Sequence, residues 1–69
     1  MAARSFWLKE RHNPQLGTYY VKCGQITANE AKRFEKNCLY GSNVMHKLNS
    51  EREYLAEIAR LEAAGNKVQ

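Results

Sequence analysis

The stretch Ile26 to Leu48, ITANEAKRFEKNCLYGSNVMHKL, constrains the fold most tightly. It reads as a strand end, a capped helix, a tight turn and a second strand. Thr27 is a strong N-cap, and Glu30 stands three residues on, so the pair predicts a reciprocal capping box. Ile26 before the cap and Ala31 after it are spaced for a hydrophobic staple. Ala31, Phe34 and Cys38 recur at helical spacing and define one apolar stripe, with Lys32, Arg33 and Lys36 on the opposite side. Tyr40-Gly41-Ser42-Asn43 predicts the stop, because Gly41 can take the left-handed conformation. Val44 to Leu48 then reads as a short strand.

The rest of the chain is read around this unit. Met1 to Arg4 reads as a loose terminus. Ser5 to His12 alternates, Phe6 and Leu8 against Trp7, Lys9 and Arg11, which predicts a half-buried strand. Asn13-Pro14-Gln15-Leu16-Gly17 is a turn by composition. Thr18 to Gln25 reads as the second strand, paired with the first as an antiparallel hairpin. A second helix starts at Ser50, where Ser50 and Glu53 offer another capping box. Tyr54, Leu55, Ile58 and Leu61 form its stripe, Glu57 and Arg60 pair across a turn, and Gly65 closes it. Lys67-Val68-Gln69 reads as a short edge strand or as a tail that seats Val68 on the core.

These elements predict a single α+β domain over residues 1–69, of order ββαβα. The expected sheet is three-stranded and antiparallel, in order 2-1-3, with both helices packed on one face. The expected core is Phe6, Leu8, Val21, Ala31, Phe34, Leu48, Leu55, Ile58 and Leu61. Hydrophobic residues make up 43% of the chain, too many for a disordered segment. At 69 residues the core is small and the domain marginal.

Little in the sequence supports catalysis or a cofactor. His12, Cys23, Cys38 and His46 are residue types that bind zinc, but they lack the close ligand pairs that nucleate a zinc site, so no metal is expected. No third group stands near either cysteine to orient a histidine for nucleophilic catalysis. The four glycines are scattered and form no phosphate loop. The chain therefore reads as a non-enzyme. Two cysteines without a CxxC pair, no signal peptide and no apolar run of membrane-spanning length predict a cytoplasmic chain with no membrane partner.

What remains is surface. The formal net charge of +4 favours an anionic partner, either nucleic acid or an acidic protein face. Two surfaces compete. The first is the helix face of Lys32, Arg33 and Lys36, whose cations can sit on phosphates or carboxylates. The second is the sheet face expected to stay open, with Trp7, Lys9, Arg11, Tyr20 and Lys22, extended by Lys47 and Met45. Aromatics interleaved with cations on a sheet can stack bases and neutralise phosphates directly. A solvated helix face and an ordinary exposed sheet account for the same residues without any ligand, which leaves a structural or adaptor domain as a third reading. Exposed Trp7 and Tyr20, together with unpaired strand edges, also suggest a homodimer.

The central stretch carries a resemblance. A strand hairpin, a helix with Ala31-Lys32-Arg33, then Cys38-Leu39-Tyr40-Gly41-Ser42 and a strand resemble the core of a small phage-encoded anti-CRISPR inhibitor of the type I surveillance complex. The likeness covers the first two-thirds of the chain. After the third strand this chain turns to a long helix, where that protein continues in strands. The resemblance implies non-catalytic inhibition in the cytoplasm of a bacterial host. In that case Lys32, Arg33 and Lys36 would engage a Cas complex where nucleic acid normally binds.

Overall fold

The computed structural model describes residues 3–37 and 40–69. The chain runs β1 (Arg4–Asn13), β2 (Gly17–Thr27), α1 (Ala28–Lys36), β3 (Ser42–Leu48) and α2 (Glu51–Ala63). The ββαβα order and the antiparallel sheet in order β2-β1-β3 match the expected α+β architecture. Cys38, expected on the helix stripe, lies outside the described residues, as do Leu39, Met1 and Ala2. Arg4, expected in a loose terminus, already pairs with Thr27.

The hairpin turn sets every face of the sheet. Asn13 pairs with Gly17 across a three-residue loop, and the Asn13 Oδ1 accepts from the Gln15 and Leu16 amides. That register places Tyr20 opposite Glu10 and Val21 opposite Lys9. Directly opposed residues share a face, so Tyr20 joins the Phe6, Leu8 and Glu10 side while Val21 joins Lys9. The expected grouping of Val21 with Leu8 is therefore wrong by one residue of register. A bulge follows: Leu8 pairs with Lys22 but Trp7 with Gly24, leaving Cys23 extra. The freed Gly24 amide donates to the Tyr54 hydroxyl at 3.2 Å. The bulge also shifts the parity of β2, so Ile26 comes to share a face with Ser5 and Trp7.

The two helices lie on opposite faces of the sheet, not on one. Phe6 stacks at 5.0 Å against Tyr54 of α2, and Leu8 clusters with Tyr54, Ile58 and Leu61. On the other face, Lys9 lies 6.0 Å over the Phe34 ring of α1, and the Asn43 amide donates to the Phe34 carbonyl at 2.9 Å. The helices do not touch each other. The reason is topological. β2 and β3 are parallel, so α1 is a crossover from one sheet edge to the other. After α2 the chain returns to the β2 edge, where Val68 bridges Tyr20 in parallel. The Tyr20 amide donates to the Lys67 carbonyl at 2.8 Å, and the Gln69 amide to the Tyr20 carbonyl at 2.8 Å. Two crossovers of the favoured right hand that run in opposite directions put their helices on opposite faces. The C-terminal tail, expected as either edge strand or core cover, makes only an isolated bridge to β2 and no strand of its own, while Val68 packs on the α2-side cluster.

Each face holds its own small core. The α2 side is built on Leu8, 1% exposed, with Tyr54, Ile58 and Leu61, flanked by Phe6, Tyr20, Leu48 and Val68. On the α1 side Ile26, Ala31 and Asn43 are buried. Three expected core residues are not in it: Phe34 is 39% exposed, Leu55 is 55% exposed, and Val21 is only half-buried, on the side away from Leu8. Splitting the helices between two faces leaves each with a narrow buried stripe, so the flank of each stripe stays in water.

Both helices are closed by local chemistry. At α1 the Thr27 Oγ1 accepts from the Glu30 amide at 3.2 Å, and Glu30 Oε1 accepts from the Thr27 amide, completing the expected capping box. At α2 only half of it forms. Ser50 Oγ accepts from the Glu53 amide at 3.1 Å, but Glu53 reaches back to the amide of Asn49. Its C-terminus is a Schellman motif: Asn66 N–H bonds the Leu61 carbonyl, Gly65 N–H bonds that of Glu62, and Gly65 has φ +92°.

Candidate partner-binding surface

The strongest candidate surface is the outward side of α1. Ala31 is the one buried residue of the helix. At helical pitch this turns Lys32, Arg33 and Lys36 to solvent, and all three are exposed. Among the described residues none of them is held in an ion pair, whereas Arg60 is held in a two-pronged pair with Glu57. Arg33 and Lys36 occupy the last turn and Glu30 the first, the distribution that the helix dipole favours.

The exposed part of Phe34 adds a feature that periodicity did not reveal. Phe34 lies in an open groove of about 520 Å³ walled by Glu30, Arg33, Lys36 and Asn37. Lys9, rising from β1, stands over the same ring. An apolar ring is thus bordered by Lys9, Arg33 and Lys36. Such a patch can seat an apolar or planar group while its cations take neighbouring anions. Sequence reasoning placed Phe34 in the core and Lys9 on a separate face. The signal that joins them is the register, which brings Lys9 under α1.

The second expected surface does not exist as one face. Trp7, Lys9, Arg11, Lys47 and Met45 lie on the α1 side of the sheet. Trp7 is half-buried near the start of α1, and its indole N–H is buried without an acceptor among the described residues. Arg11 reaches the His12 carbonyl at 3.4 Å. Tyr20 and Lys22 lie on the opposite side, where Tyr20 packs on the α2 cluster beside the returning tail. No open aromatic platform results, because a helix covers part of each face.

The titratable residues cluster elsewhere. Glu10 accepts from His46 Nε2 at 2.9 Å and also contacts His12 Nε2; His12 Nδ1 in turn lies 3.0 Å from the Thr18 hydroxyl. The hydrogen bond with His46 lowers the Glu10 pKa, partly opposed by burial and assisted by His12. The cluster borders a cleft of about 320 Å³ between the sheet and α2, shared with Tyr20, Glu57 and Arg60. It ties β1 to β3 through side chains. Cys23, the cysteine within the described residues, has its thiol pKa pushed up by burial, the reverse of an activated nucleophile. Among the described residues no group of three His, Cys, Asp or Glu side chains is arranged to hold a metal, and no helix is long and apolar enough to cross a membrane. No protein-family model, curated protein or solved structure matches the chain.

Proposed function

We propose that this chain is a non-enzymatic binding domain that engages an anionic face of a protein or nucleoprotein complex through the outward side of α1. The observation that carries this reading is the groove at Phe34: an exposed aromatic ring bordered by Lys9, Arg33 and Lys36, with Lys32 beside it on the same helix. Cations that served only to hold the fold would be expected to pair with local carboxylates, as Arg60 does with Glu57.

The most specific form of the reading is a phage-type inhibitor of a type I CRISPR surveillance complex, acting in the bacterial cytoplasm. Charge narrows how it would act. A channel that binds nucleic acid is itself basic and would repel Lys32, Arg33 and Lys36. The matching surfaces on such a complex are the phosphates of its bound guide or an acidic patch on a subunit. A direct nucleic-acid-binding module is the second reading, and Phe34 with its cations supports it better than the divided sheet face does.

Salt separates the two readings. Fluorescence anisotropy with labelled single-stranded DNA and RNA, and light scattering with a purified guide-loaded surveillance complex, are measured across a salt series. The proposal expects weak binding to free oligonucleotide and tight binding to the complex. Tight oligonucleotide binding that falls steeply with salt would replace it with the nucleic-acid module.

A further inference from the structure

The two edges of the sheet are treated differently. The β2 edge is covered, because Tyr20 and Lys22 use their outward amides on the C-terminal tail. At the β3 edge no described residue pairs with the outer side of Ser42–Leu48. The strand has no proline, no bulge against β1 and Lys47 as its only fixed charge, and α1, which packs over one of its faces and buries Asn43, pairs with none of its outer backbone groups among the described residues.

The direction of its free amides follows from the ladder. Tyr20 directs both its N–H and its C=O to the tail, so Glu10 opposite it must direct its own away from β2 and toward β3. Glu10 and Val44 are then a hydrogen-bonded pair, and by alternation so are Leu8 with His46 and Phe6 with Leu48. Asn43, Met45 and Lys47 are left with their N–H and C=O groups pointing outward.

We infer that β3 pairs with β3 of a second copy, antiparallel about a two-fold axis at Met45. In that register Met45 faces Met45 of the second copy, and Asn43 faces Lys47. Every outward amide and carbonyl of the strand is paired, since these are the residues that point out. Sliding the register by two residues leaves an outward residue of each copy opposite a position beyond the strand. The charges agree. Lys47 is set opposite uncharged Asn43, whose side chain stays buried on the Phe34 carbonyl, instead of opposite another cation, and apolar Met45 lies on the axis. Val44, 42% exposed, gains His46 of the second copy as its neighbour on the same face. The result is one continuous antiparallel sheet with α1 of both copies on one side and α2 of both on the other.

Mass and amide exchange test this on the full chain. Sedimentation should give about twice the 8.0 kDa chain mass. Hydrogen exchange by NMR should show Asn43, Met45 and Lys47 amides protected alongside Val44 and His46. Met45→Pro removes an outward N–H and leaves the β1 ladder intact, so it should fold and sediment as a monomer. Met45→Lys keeps the backbone and sets two cations across the axis, and should also be monomeric. A monomeric wild type at NMR concentration overturns the inference. So does a dimer with fast exchange at Asn43 and Lys47, or a folded Met45→Lys protein that remains a dimer.

Discussion

Replacing Gly41 by alanine should destabilise this domain more than its exposed position suggests. Gly41 enters β3 with φ +81°, a conformation that costs an L-residue about 1–2 kcal/mol. A Cβ at this position would also overlap the His12 carbonyl group and lie 3.2 Å from Pro14 Cδ. The obstacle is backbone, which cannot swing aside as a side chain can. Relieving it requires moving the start of β3 away from β1, where His12 pairs with Ser42. Overpacking of that kind costs about 1–3 kcal/mol. Together the two effects come to about 2–5 kcal/mol, set against a total stability on the order of 3–10 kcal/mol for a chain of this length. Gly65→Ala is the matched control. It has φ +92° but open space around its Cβ, so it should lose only the conformational cost, about 1–2 kcal/mol. Urea denaturation followed by circular dichroism reads both. Equal midpoints for Gly41→Ala and Gly65→Ala would refute the steric half of this reasoning.

Three further outcomes follow from packing, capping and charge. Leu8→Ala should cost about 2–5 kcal/mol, as for a fully buried leucine, while Leu55→Ala should cost well under half as much because Leu55 is 55% exposed; the same urea melts compare them. Thr27→Ala should cost about 1 kcal/mol through loss of the α1 cap, read as a lower melting temperature that Thr27→Ser largely restores. Glu10 has a lowered pKa in the fold, so its contribution is present above the unfolded carboxylate pKa and is lost as pH falls through the lower folded value. Glu10→Gln should therefore flatten the acid side of the stability–pH curve, and an unchanged acid limb would contradict the tie to His46.

Local signals read the chain well wherever the answer was local. The Thr27–Glu30 box, Gly65 as terminator and the Glu57–Arg60 pair are all present as short-range chemistry predicts, whereas the half-buried alternation expected of β1 is lost because both of its faces are partly covered. The failures were failures of register and return path. Whether Val21 shares a face with Leu8 or with Lys9 depends on one residue of loop length, which composition does not set. The bulge at Cys23 shifts Ile26 to the α1 side, and alternation alone cannot show where a strand changes phase. The placement of α2 depends on the tail returning to the β2 edge, a contact between Tyr20 and Val68 far apart in sequence. Those long-range choices split the core between two faces and left Phe34 at the surface. They also divided the expected aromatic platform and moved Lys9 into the α1 site. The cations of α1 were legible because helical spacing alone sets them opposite Ala31.

The most direct test of partner binding through α1 is capture of a purified guide-loaded type I surveillance complex by the immobilised chain and by its Lys32→Glu, Arg33→Glu, Lys36→Glu variant. Glutamate in the last turn opposes the helix dipole by about 0.3–1 kcal/mol per site, so circular dichroism checks the fold, and the matching triple glutamine variant serves as a milder control. The wild type should retain the complex. The folded glutamate variant should lose it, because each cation at an anionic contact becomes a repulsion, and the glutamine variant should fall between. Full retention by a folded glutamate variant, or no retention by the wild type, would contradict the proposed role of this surface.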